Sequence, residues 1–217
     1  MFKVDLHTHS EASPDGGISP EQYARALETE KLDYIAVTDH DRIDFALGLQ
    51  KALGDKIIVG EEITTTQGEI IGLYLKHPIG PGMNARDTAQ EIHNQGGLVY
   101  IPHPFETVRK GIPIDVLDSI SDLVDIVEVH NGRALAQNFG IKAATWAKLN
   151  GKPGASSSDA HGYRGLGHSY SIISESPSRG SLVGNIRMTS LAHRRAPLYT
   201  LLYPKLNRLS KKVGIKK

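Results

Sequence analysis

A chain of 217 residues can build one sizeable hydrophobic core and has little left for a second. It contains no cysteine, which excludes disulfide scaffolds, thiolate metal sites and cysteine nucleophiles, and leaves imidazole and carboxylate as metal donors. The formal net charge of +1 is unevenly spread: residues 178–217 hold ten Lys or Arg and no Asp or Glu, so the first 177 carry 15 basic against 24 acidic groups. An acidic body that concentrates cations, followed by a basic extension that meets anions or is merely solvated, would give this split.

The opening, MFKVDLHTHS, puts two histidines and an aspartate where a secretory leader needs an unbroken apolar stretch. No apolar run approaches the roughly 18 residues of a membrane span. The expectation is a soluble, cytoplasmic protein. In chain order, short apolar runs predict strands at Phe2 to Leu6, Tyr34 to Val37, Ile57 to Val59, Ile70 to Leu75, Leu98 to Ile101 and Ile126 to Val129. Ser19-Pro20-Glu21-Gln22 supplies an N-cap, a first-turn proline and a polar first turn ahead of Tyr23, Ala26 and Leu27, so a helix starts there. Further helices are predicted at 44–53, 85–95 and 134–149, closed by Gly54, Gly96-Gly97 and Asn150-Gly151. The last places Leu135, Phe139, Ala143, Trp146 and Leu149 near one face, which makes Trp146 a core residue.

The chain divides into a catalytic body over residues 1–190 and a basic C-terminal extension over 191–217, partly helical. In that extension Leu198, Leu201, Leu202, Leu206, Leu209 and Val213 recur at helical spacing, between Lys205, Arg208, Lys211 and Lys212. Such a segment would lay its leucines on the body and turn its basic face towards solvent, a nucleic acid or a membrane surface.

Repeated strand, loop and helix units indicate a parallel α/β architecture, either a barrel or an open doubly wound sheet. Polar clusters follow almost every strand: His7 and His9, then Asp39 and His40, then Glu62, then His103, and finally Asp159 and His161. Loops after the strands of a barrel converge on one mouth, whereas an open sheet would scatter them. A barrel is therefore expected, irregular because the stretch from Ile57 to Leu75 leaves little room for a helix between its strands.

Side chains two apart on extended backbone point the same way, so His7 and His9 can present two imidazoles to one cation, with Asp5 on the same face placed to orient a ring. A lone pair of histidines is weak support. Ala36-Val37-Thr38-Asp39-His40-Asp41 adds an apolar strand that ends in two acids around a histidine, a charge cluster that packing alone does not justify. One carboxylate of Gly60-Glu61-Glu62-Ile63-Thr64 can bridge two ions; Pro102-His103-Pro104 fixes a histidine at a strand end; Ser158-Asp159-Ala160-His161 closes the series. Each alone has a structural explanation, but five at strand ends share none.

In order and spacing, DLHTHS, TDHD, GEEIT, IPHPF and SDAH resemble the motifs of the PHP (polymerase and histidinol phosphatase) family over roughly residues 2–170. The resemblance implies a distorted seven-stranded β/α barrel holding two or three divalent ions (Mn, Zn or Fe), usually in a phosphoesterase. By motif, His7, His9, Glu62 and Asp159 would hold one metal, Glu62 would bridge to a second held also by His103, and Asp15, His40 and His161 would form a third position. Many relatives place a histidine where Glu69 stands here. Glu69 is either a carboxylate ligand favouring a harder ion such as Mn²⁺, or a solvent-facing hairpin residue whose place water takes.

Arg109, Arg133 and Arg164 each follow a metal motif, where a guanidinium can receive a phosphate, Arg133 being best placed directly after a strand. His130 would line the pocket or be a satisfied polar residue; His77, His93, His168 and His193 read as ordinary. The function expected is hydrolysis of a phosphate ester by metal-activated water, with Asp15, His40 and His161 either binding phosphate oxygens through a third ion or protonating the leaving group. A small phosphomonoester or nucleotide is the favoured substrate. Alternatives are exonuclease-like cleavage of nucleic acid ends, amidohydrolase chemistry, for which no bridging lysine is found, and a non-catalytic metal-binding module.

Overall fold

The computed structural model describes residues 1–135, 137–187 and 190–214. Nine strands form one sheet: β1 (Phe2–Asp5), β2 (Tyr34–Val37), β3 (Ile57–Thr65), β4 (Gly68–Leu73), β5 (Leu98–Ile101), β6 (Ile126–Asn131), β7 (Gly154–Ser157), β8 (Ser169–Ile173) and β9 (Ser190–His193). Their spatial order is β7-β6-β5-β4-β3-β2-β1-β8-β9. Pairing is parallel at β1–β2, β2–β3, β5–β6 and β6–β7, and antiparallel at β3–β4, β4–β5, β1–β8 and β8–β9. The sheet curls until β7 meets the other edge, where Ser156 N donates to Ser171 Oγ and Ser156 Oγ to Ala192 O. The result is a nearly closed, irregular barrel.

Seven strands were expected and nine are present among the described residues. In β8 the inward positions are Ser169, Ser171 and Ile173, so serines stand where an apolar alternation would have marked the strand. The β3–β4 hairpin has no helix, as the short spacing required; Thr65 Oγ1 accepts from Gln67 N and donates to Gly68 O at its turn.

Helices cover the outside. In α1 (Pro20–Glu28), Ser19 and Gln22 form a reciprocal capping box, and Tyr23, Ala26 and Leu27 face the core. The helices α2 (Asp44–Leu53) and α3 (Ala85–Asn94) lie where the periodicity put them; α4 (Ile114–Ser119), six residues long, is too short to show a period. The helix expected from 134 begins only at Gly140 (α5, Gly140–Leu149). A β-carbon at Gly140 would lie 2.5 Å from Val129 O, so that close approach demands glycine and fixes the start. Leu135 and Leu149 are consequently exposed, whereas Trp146 is buried and its indole donates to Asp118. A second apolar cluster fills the barrel, with Val4, Leu6, Ile58, Ile71 and Tyr100, and α6 (Leu182–Arg187) adds Leu182 and Ile186 to it. Arg179 bonds Gly96 O ahead of β5, and Ser176 bonds Tyr34 at the start of β2, so α6 plugs the end opposite the loops that follow the strands. Among the described residues no helix is long and apolar enough to cross a membrane.

The last helix, α7 (Tyr203–Val213), docks the other way round from the expected amphipathic segment. Leu198, Leu202, Leu206, Leu209 and Val213 are all at least half exposed, while Pro204 and Asn207 are buried against the body. Asn207 Nδ2 donates to Asp15 O at 2.8 Å and His161 O at 2.9 Å, and Lys211 Nζ donates to Gly16 O at 2.8 Å and to Ser13 O. The mouth of the barrel presents loop carbonyls with acceptor capacity to spare, which amide and ammonium donors satisfy and leucines cannot. Leu206→Ser and Leu209→Ser should therefore shift stability by no more than about 0.5 kcal/mol, whereas Asn207→Ala should cost about 1–3 kcal/mol in urea unfolding. The reverse ranking would show that the apolar face docks.

Candidate metal centre

Beyond β1 the chain stays extended through Leu6-His7-Thr8-His9, pinned by Thr38 N donating to Thr8 O and His9 N to Ala160 O, both at 2.9 Å. The alternation turns both imidazoles inward, with their Nε2 atoms 3.1 Å apart. Of the acids after β2, Asp39 accepts from Ser10 N at 2.7 Å and Ser10 Oγ at 2.5 Å, and Asp41 from Thr64 N at 2.7 Å and Thr64 Oγ1 at 3.0 Å. These carboxylates fasten the loops; His40 between them faces the centre. On β3, Glu61 points outward to Ile79 N and Glu62 points inward, as the pleat requires. Asp41, His103, Phe105 and Asp159 all have positive φ, so left-handed backbone concentrates at this mouth.

The structure brings all nine expected donor residues together. Glu62 is the hub: Oε2 lies 3.4 Å from His7 Nε2, 3.2 Å from His9 Nε2 and 3.3 Å from His40 Nδ1, and Oε1 lies 3.0 Å from His103 Nε2. Asp159 Oδ1 is 3.6 Å from His7 Nε2, 3.5 Å from His9 Nε2 and 3.3 Å from His161 Nδ1. Asp15 sits 3.6 Å from His40 and 3.4 Å from His161. Glu69 is buried, not solvent-facing, and approaches His103 at 3.9 Å and His40 at 4.0 Å. Among the described residues four overlapping donor groups result: His7/His9/Asp159, His7/Glu62/His103, His40/Glu62/Glu69 and His9/Asp15/His40/His161. A cation bound at about 2.1 Å with tetrahedral angles holds neighbouring donors about 3.4 Å apart, so this donor set fits divalent ions.

Burial opposes charge on His7, but Asp159, Glu62 and Glu128 outweigh it and hold the imidazole well above its usual range. Burial likewise disfavours the Glu62 carboxylate, which His7, His40 and His103 pull well below the ordinary value. Glu69, buried and beside Glu62, is pushed up to about 7. Burial, with Arg133, drives His161 down to about 3, keeping it a neutral ring with a lone pair to donate.

A supporting layer went unread in the sequence. Glu128 on β6 is fully enclosed; it accepts from Tyr100 Oη at 3.0 Å, His103 N at 2.6 Å and Asn131 Nδ2 at 2.8 Å, and contacts His7 Nδ1 at 3.2 Å. By engaging Nδ1 it leaves His7 Nε2 for the centre. The role expected of Asp5 therefore falls to Glu128, which meets His7 Nδ1, while Asp5 Oδ1 accepts from the backbone N–H groups of His7 and Ser158. The available signal was a carboxylate inside the apolar run Ile126-Val127-Glu128-Val129.

Of the three arginines, Arg133 lines the cavity and donates to Asp159 at 3.2 Å. Arg109 lines it too but is engaged by Glu106 at both Nε and Nη2 and, through Nη1, by Asn131 and Asp159, so it braces Asp159. Arg164 does not reach the metal cavity; it lines a neighbouring one with Arg25 and Tyr203, because the turn after His161 carries it to the far side of α7. His130 stacks on His193 at 4.8 Å, and neither belongs to a donor group, nor do His77, His93 or His168. Glu128→Ala should leave the fold intact and weaken metal affinity about 10- to 100-fold, read by titration with a competing chelator; unchanged affinity would refute its role.

The PHP domain family profile matches residues 5–145, and a PHP-associated profile matches residues 141–190. An uncharacterized protein of Methanocaldococcus jannaschii is 30% identical over 153 residues, covering 64% of this chain and 90% of that protein. A two-domain protein from Bacteroides vulgatus, described as containing a predicted PHP-like metal-dependent phosphoesterase, superposes with a TM-score of 0.70 at 19% identity, covering 95% of this chain and 69% of that one. A lesion-specific endonuclease from Pyrococcus furiosus superposes with a TM-score of 0.63 at 15% identity, covering 88% of this chain and 57% of that one. With the profile spanning well over half of the sequence and the motif residues gathered at one barrel mouth, the chain belongs to the PHP domain family.

Proposed function

We propose that the chain is a metal-dependent hydrolase of phosphate esters acting on a small phosphomonoester or nucleotide. The observation that carries this reading is Glu62, whose two oxygens face the donors of separate groups on the floor of a cavity of about 450 Å³ rimmed by Lys110, Arg133 and Arg208. That volume suits a ligand of nucleotide size. His7, His9, Glu62 and Asp159 would hold one ion, Glu62 and His103 with Glu69 a second, and Asp15, His40 and His161 a third. Such ions supply a water that deprotonates near neutral pH and a clamp on phosphoryl oxygens.

The protein's own groups do the positioning. Glu128 and Asp159 fix the rings of His7 and His161, and Arg109 holds Asp159 in turn. Arg133 presents its guanidinium to the cavity, where it can receive non-bridging oxygens. His40 is the most exposed of the histidine donors, with 19% of its side chain accessible, and it lines the cavity, so it is the ring a departing oxygen could most readily meet. Cleavage at nucleic acid ends is the second reading. It draws on the lack of any inserted domain over that side of the mouth, since only α3 and β5 lie between β4 and His103, and on the likeness to an endonuclease.

Purified protein should hydrolyse phosphomonoesters, lose activity to a chelator and regain it in Mn²⁺ more readily than in Mg²⁺, because imidazole donors suit a transition ion. Full activity in Mg²⁺ alone contradicts the proposed donor set. Screening nucleoside bisphosphates and short oligonucleotides alongside separates the two substrate readings. If His40 supplies the leaving-group proton, His40→Asn should slow an alkyl phosphate by about 100-fold and spare p-nitrophenyl phosphate, whose leaving group needs no proton. Equal losses on both esters would assign His40 to metal or phosphate binding.

A further inference from the structure

Four cationic side chains line the metal cavity: Arg109, Lys110, Arg133 and Arg208. Arg109 is committed to Glu106, Asn131 and Asp159, and Arg133 leans on Asp159. Arg208 differs in origin, arriving from α7 across the mouth, and in its hold. Its Nη2 donates to Asp15 Oδ2 at 2.7 Å, and 61% of its side chain is accessible.

The helix does not need Arg208 to stay in place. Asn207 and Lys211 bond the carbonyls of Ser13, Asp15, Gly16 and His161, and those bonds are indifferent to the charge on the Asp15 carboxylate. That carboxylate also belongs to the His9/Asp15/His40/His161 donor group, so a cation held there competes with Arg208 for it. A guanidinium on a long flexible stem, with its helix fixed and its anionic partner contested, is placed to exchange that partner for an incoming anion.

We propose that Arg208 is a phosphate-binding residue which the C-terminal helix delivers to the cavity, and that it favours a dianionic phosphate monoester over a phosphodiester. The inference rests on the phosphoesterase reading and adds a preference to it. A monoester carries close to two negative charges at neutral pH and three terminal oxygens, enough to engage Arg133 and Arg208 together. A diester offers one charge and two such oxygens. Pro204, one turn before Arg208, lines the same cavity, so the helix sets an apolar wall beside the guanidinium, where a second ester group would gain no further hydrogen bond.

The test compares the full Mn²⁺-loaded chain with Arg208→Gln, Arg208→Lys and Lys205→Gln, the last removing an equal charge from an exposed position on the same helix. Inorganic phosphate binding is measured by calorimetry, metal content by mass spectrometry, and turnover on p-nitrophenyl phosphate against bis(p-nitrophenyl) phosphate. Arg208→Gln should weaken phosphate binding and raise KM for the monoester about tenfold or more, lower the monoester-to-diester ratio of kcat/KM, and leave metal content no lower than in the wild type. Arg208→Lys should recover part of the loss, and Lys205→Gln should match the wild type. Phosphate affinity within twofold of wild type in Arg208→Gln, or an equal loss in Lys205→Gln, overturns the proposal. If the wild type turns over esters and Arg208→Gln does so identically, this inference alone fails. If the wild type binds phosphate through Arg208 without turnover, the hydrolase reading fails instead.

Discussion

Everything at the barrel mouth depends on one electrostatic constraint: Glu62 and Asp159 are almost wholly buried, and imidazole nitrogens surround their oxygens at 3.0–3.6 Å. Burying carboxylates costs several kcal/mol each unless positive charge compensates them. The fold therefore spends its rigid elements on this cluster. Asp39 and Asp41 tie down the loops, Glu128 orients His7 and holds the backbone of His103, and Arg109 braces Asp159 from behind. The left-handed backbone at Asp41, His103, Phe105 and Asp159 belongs to the same economy, since strained conformations persist where their surroundings over-determine them.

Most of this centre was legible in the sequence. His7, His9, Glu62, His103, Asp159 and His161 each follow an apolar strand, and in a barrel that rule alone predicts convergence. Glu69 was ambiguous because hairpin residues alternate between core and solvent, and only the register Thr64↔Glu69 turns its side chain inward. Glu128 carries no strand-end signal, because it sits inside β6 with apolar residues on both sides; a carboxylate within such a run is the mark of a buried polar network. β8 and β9 were missed because buried serines and a short edge strand leave no apolar alternation. The late start of α5 depends on a backbone approach between Gly140 and Val129, which no local pattern encodes.

The orientation of α7 marks a different limit. Helical periodicity shows that a segment has two faces, but not which face the rest of the molecule needs. Here the surface offered is a ring of carbonyls, so Asn207 and Lys211 dock, Arg208 reaches over to the carboxylate of Asp15, and the leucines remain outside. The acidic body and basic extension noted in the composition are thus partners within one molecule. The tail becomes part of the site that the sequence had placed entirely in the body.

The central claim is that Glu62 joins separate cation sites into one centre. Metal content of the wild type and of Glu62→Ala, measured per chain after equilibration with Mn²⁺ and removal of free ion, tests it most directly. The account predicts at least two ions in the wild type, and loss of more than one from the variant with its folded circular dichroism spectrum retained. A folded Glu62→Ala protein that keeps the full wild-type complement would contradict it.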